Sequence, residues 1–113
     1  MSAPAAAELL EHIKQAAEQA VAYVDGMAKA DFLADKRTQQ AVILNLIVIG
    51  EAAAKLMDFY PDEARAHADL ELRSMRGMRN RIAHGYYDID LSIVWDTVVG
   101  ALPELIRRLP ERP

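Results

Sequence analysis

At 113 residues the chain has room for one hydrophobic core, and its lack of cysteine excludes disulfides, thiolate zinc sites and cysteine nucleophiles. With 52% hydrophobic but only 6% aromatic residues, abundant alanine and just five glycines and five prolines, the composition favours helices. A net charge of −4 argues against a protein that coats nucleic acid, and a defined phosphate-bearing ligand remains open.

Met1-Ser2-Ala3-Pro4 shows no basic region leading into an apolar core, so no signal peptide is expected. The most apolar run, Ala41 to Ala54, is broken by Asn45 and Glu51. It falls short of the ~18 uninterrupted apolar residues of a membrane span. The expectation is a soluble cytoplasmic protein with no membrane partner.

A first helix is predicted from about Ala5 to Asp25. Leu10, Ile13, Ala17, Ala20, Val21 and Val24 recur at three- and four-residue steps, with Glu8, Glu11, Lys14, Gln15, Glu18 and Gln19 on the wet side. Gly26 is the natural stop, and His12 falls among the polar positions. Residues 26–34 read as a connection whose Phe32 and Leu33 plug the end of the bundle. Asp35 can cap a second helix that reaches Phe59 and stops before Pro61. From Ala41 to Ala54 this helix is apolar nearly all round, a surplus that three neighbours would not cover and that points to a homodimer interface.

Pro61 to Ala68 reads as a loop or short helical turn with His67 exposed. Asp69 can cap a third helix running to about His84. The last helical region starts after Asp88 or Asp90, is broken or kinked at Gly100 and Pro103, and offers Glu104 and Arg108 as an i,i+4 pair. The sequence thus reads as an all-α bundle of four to five helices in a single domain spanning residues 1–113.

Basic residues crowd one region: Arg65, Arg73, Arg76, Arg79 and Arg81 face only Asp69 and Glu71 in that stretch. At about 100° per residue, Leu72, Met75, Met78 and Ile82 form an apolar arc on the third helix. Arg73, Asn80 and His84 line the opposite side, close enough for the Asn80 amide to orient the imidazole. Arg79 falls inside the apolar arc, about 140° from His84. A buried arginine needs a partner, and Glu51 is a candidate, either tying the two helices together or pairing outward with Lys55. The offset sets Arg79 and His84 against a single ligand unless the helix unwinds before His84 or two subunits share the site. His84 before Gly85 also suits a helix C-terminus, where the dipole favours a cation.

The whole stretch Arg79-Asn80-Arg81-Ile82-Ala83-His84-Gly85-Tyr86 resembles the Arg-x4-His-x-Tyr signature of HepT-like toxins of the HEPN superfamily. Phe32 to Val42, Ile49-Gly50-Glu51-Ala52-Ala53, Ile93-Val94-Trp95-Asp96 and Leu102-Pro103-Glu104-Leu105 resemble other segments of that family in the same order. Leu70-Glu71-Leu72 departs from it, where many relatives carry a Pro-Trp pair. The resemblance implies an all-α homodimer whose two signatures meet in a cleft. It implies a metal-independent ribonuclease, with no cofactor of its own, acting as the toxin of a type VII-like toxin–antitoxin pair. Its partner would be an MNT-type nucleotidyltransferase that transfers AMP from ATP. By position in the signature, Arg79 and His84 become the nuclease residues, Asn80 a supporting polar group and Tyr86 the adenylylated residue.

These residue types suit RNA, which carries its own nucleophile in the 2′-hydroxyl. His84 could take that proton or protonate the leaving oxygen, and Arg79 could stabilise the charge growing on phosphorus. The product would be a 2′,3′-cyclic phosphate. AMP on Tyr86 would add bulk and negative charge where RNA phosphate must sit. A rival reading is a non-catalytic helical dimer that binds nucleotide or RNA through its arginines and docks a nucleotidyltransferase.

Overall fold

In the computed structural model, which describes residues 5–111, the first apolar stripe becomes α1 (Ala6–Tyr23). Met1–Pro4, read above for a signal peptide, lie outside the described residues. Leu9, Leu10, Ile13, Ala16, Ala17 and Ala20 face the core, and the chain turns at Gly26, whose φ of +77° no other residue type adopts as easily. The connection contains a short helix, α2 (Lys29–Ala34), started by Asp31, which accepts a hydrogen bond from the Ala28 N–H at 2.9 Å. Phe32 is fully buried against Trp95, with ring centroids 5.4 Å apart, whereas Leu33 is 42% exposed. Adjacent residues on a helix point about 100° apart, so only one of the two can plug the bundle.

The central helix α3 (Lys36–Phe59) ends before Pro61 as expected. Asp35 caps it, accepting from the Thr38 N–H at 3.1 Å and from the Thr38 hydroxyl at 2.8 Å. The hydroxyl contact, then the backbone one, hold the Asp35 carboxyl below its usual pKa. α1 packs on one side of α3 and α5 (Leu72–His84) on another. The remaining face of α3 is open, leaving Leu44 61% and Val48 38% exposed beside Glu51.

Between α3 and α5 lie α4 (Pro61–Ala66) and a 3-10 turn over Ala68–Leu70, with His67 half-buried rather than exposed. Asp69 does not cap the next helix, because it sits inside that turn. α5 begins instead after Glu71, which has φ 57° and ψ 51° and makes no side-chain cap. A left-handed non-glycine residue costs about 1–2 kcal/mol, and it falls where the sequence departs from the resembled pattern.

Past a 3-10 turn at Tyr86–Asp88, Asp90 caps α6 (Leu91–Asp96) by accepting from the Ser92 N–H at 2.9 Å. The expected break at Gly100 and Pro103 is instead a wide π turn, Thr97–Ala101, that runs into α7 (Leu102–Arg108) as one continuous arm. Two causes converge there. Pro103 has no N–H to donate back into a regular ladder. Val94, Val98 and Leu102, all buried, recur every four residues, a spacing that drifts about 40° per step on an α-helix. A turn holding more residues takes that drift back. Arg108 bonds Glu104 at 3.1 Å as predicted. Among the described residues there is no strand, and no helix is long and apolar enough to cross a membrane.

Candidate active site

The site is built on the crossing of α3 and α5, and Gly50 sets how close the two come. A Cβ placed on Gly50 would lie 2.3 Å from Arg79 Cβ, 3.0 Å from Arg79 Cγ and 2.9 Å from the Met75 carbonyl oxygen. The Arg79 stem therefore rests on bare backbone. From there its guanidinium reaches the next residue of α3, and Nη1 donates to Glu51 Oε1 at 2.5 Å. On the other side Nε donates to Asn80 Oδ1 at 2.9 Å. Arg79 is thus held from two directions, with 23% of its side chain exposed against 48% for Glu51.

Of the two partners weighed for Glu51, the structure selects Arg79 over Lys55, and the pair ties α3 to α5. So open a pair adds ~1 kcal/mol or less to stability.

Asn80 does not orient His84. Its amide oxygen goes to Arg79, because a charged N–H is the stronger donor within reach. His84 is exposed at the end of α5 and, among the described residues, has no hydrogen-bond partner. The helix stays regular through His84, so no unwinding brings it round toward Arg79. The 140° separation between the two side chains is a property of the folded chain. Tyr86 follows in the 3-10 turn, 50% exposed, with its ring edge-on to Tyr87 at 5.9 Å and Tyr87 itself 98% exposed.

The five clustered arginines do not form one patch. Arg79 turns to Glu51, and Arg81 lies over Gly77 and lines an apolar cavity of about 360 Å³ with Met75, Met78 and Leu105. Arg65, Arg73 and Arg76 line a separate groove at the other end of α5. Sequence reasoning missed Gly50 as a determinant of the site. The signal was present, a lone glycine inside a long helix directly before the acid that pairs with α5.

A helical bundle with an arginine braced at a helix crossing and an exposed histidine at the helix end defines the class, an all-α protein. The family described as Ribonuclease HepT-like matches residues 13–111, and the chain belongs to it. That membership places it among the ribonucleases. A protein of Thermococcus cleftensis named "Probable ribonuclease HepT" is 36% identical, covering 87% of this chain and 86% of its own. A candidate RNase of Caldanaerobacter subterraneus is 33% identical, covering 90% and 88%. A candidate RNase of Methanocaldococcus jannaschii is 32% identical, covering 92% and 80%. No solved structure is a significant match.

Proposed function

We propose that the chain is a metal-independent endoribonuclease toxin whose active site is shared by two copies. The observation that carries this is the unbroken α5: it keeps Arg79 and His84 about 140° apart, so one copy cannot aim both at one phosphate. The open Leu44–Val48 face of α3 adjoins Glu51, so a second copy seated there would approach Arg79. In an isologous pair, Arg79 of each copy then serves the His84 of the other. His84 handles the proton of the 2′-hydroxyl or of the leaving oxygen, and Arg79, drawn from Glu51 by the phosphate, stabilises the charge built up in the transition state.

The proposed restraint is transfer of AMP to the exposed Tyr86 by a cognate MNT-type nucleotidyltransferase using ATP. An added phosphate two residues from His84 would repel and occlude the substrate.

Two inactive variants provide the test. Arg79→Ala and His84→Ala are each expected to abolish cleavage of single-stranded RNA in EDTA. Mixed one to one after subunit exchange, they should recover about a quarter of wild-type activity, since half the dimers keep one intact site of two. No recovery, or activity that needs added metal, overturns the reading. After co-expression with the nucleotidyltransferase, intact mass should rise by whole AMP units in the wild type and not in Tyr86→Phe.

A further inference from the structure

We propose that the groove between α3, α4 and the start of α5 is a second nucleotide subsite, holding a phosphate of the RNA strand away from the point of cleavage. It encloses about 550 Å³, the size of a small-ligand site, and three arginines line it: Arg65, Arg73 and Arg76. Arg65 is engaged with Asp62, while Arg73 and Arg76 make no hydrogen bond or ion pair among the described residues. Two unpaired guanidinium groups three positions apart on one helix repel each other, and a shared anion removes that repulsion.

The other groups narrow the ligand. Asp58 and Glu71 line the same groove over a floor that includes Met57. Carboxylates disfavour a bare anion but accept N–H and O–H donors, so the groove suits a phosphate carried beside ribose hydroxyls and a base edge. That is a nucleotide. Arg73 and Arg76 also share the solvent side of α5 with Asn80 and His84, so one strand laid along that side would reach both the groove and the proposed active site. By the helical rise, Arg76 lies about 12 Å from His84, or roughly three to four nucleotides of a stacked strand at ~3.4 Å each. This assignment rests on the ribonuclease reading above and names where its substrate is gripped.

The test is equilibrium binding of a fluorescent single-stranded RNA of about a dozen nucleotides to the full chain carrying His84→Ala, at several salt concentrations. Adding Arg73→Gln and Arg76→Gln together should weaken binding about tenfold and flatten the slope of log affinity against log salt by about 0.7, the value for the one phosphate they share. Lys29→Gln with Arg107→Gln removes the same charge elsewhere and should leave affinity within about twofold. Unaltered melting of each variant shows that the fold survives. Equal weakening by both pairs, or an unchanged slope in the first, overturns the subsite. So does free AMP competing for the groove at concentrations where the RNA strand does not, since the site would then belong to a free nucleotide. Cleavage of the same RNA by the wild type is scored separately, so the nuclease reading and the subsite can each fail alone.

Discussion

The two long contacts of α3 are built on opposite terms. Toward α1 the interface is apolar and alanine-rich, with Ala16, Ala17 and Ala20 on one helix and Ala52 and Ala53 on the other, all buried. Toward α5 the helices close on a glycine, and a charged stem fills the contact. The first arrangement holds the helices together by burying small apolar side chains. The second fixes one side chain at one place. A single helix thus carries a scaffold face and a site face, and they should respond differently to substitution.

The largest expected effect touches neither packing surface. His84→Ala should lower RNA cleavage by about 10²–10⁴-fold, the usual worth of a general acid or base, with an unchanged melting temperature because His84 bonds nothing in the fold. Undiminished cleavage would remove it from the chemistry. On the site face, Gly50→Ala should cost about 1–3 kcal/mol by overpacking and reduce cleavage with it, because Arg79 must move. On the scaffold face, Ala53→Gly should cost about 1 kcal/mol through helix propensity and leave cleavage near wild type. Thermal melts paired with cleavage assays check both, and equal activity losses would erase the distinction. Arg79→Ala should shift stability by ~1 kcal/mol or less while cleavage collapses. If the melting temperature falls steeply instead, the pair is chiefly a structural tie.

The smallest effect tests the start of α3. Because the folded-state pKa of Asp35 is depressed by Thr38, its contribution is present above the ordinary carboxylate pKa and lost as pH falls through the lowered one. The gap in melting temperature between wild type and Asp35→Ala should therefore be widest near neutral pH and close on acidification. A gap that widens in acid contradicts the cap.

What the sequence made legible was local. Gly26 and Pro61 act through their own backbone geometry and Asp35 and Asp90 through bonds to near neighbours, so each was readable as a stop or a start, with Asp88 the alternative to Asp90. The Glu104–Arg108 pair is local too. Features set by distant neighbours were not readable. Asp69 is a good cap by type, but the 3-10 turn takes it before the helix begins. Leu33 looks like core until Phe32 meets Trp95. Asn80 has the spacing to serve His84, yet Arg79 offers the better donor. The π turn answers to which faces of α6 and α7 must stay inside. In the candidate site, Arg79, His84 and Tyr86 were assigned from their match to the family signature, while Gly50 and the division of the arginines required the fold.

Gly50 also bears on how such a protein can be disarmed. A cell that must escape its own nuclease need not alter an arginine or a histidine. One added methyl group at Gly50 would lever Arg79 off its seat while every reactive residue stayed in the sequence. Among survivors of unrestrained expression, substitutions should therefore gather at this silent position as well as at the reactive ones. A gene inactivated in this way would still read as an intact ribonuclease.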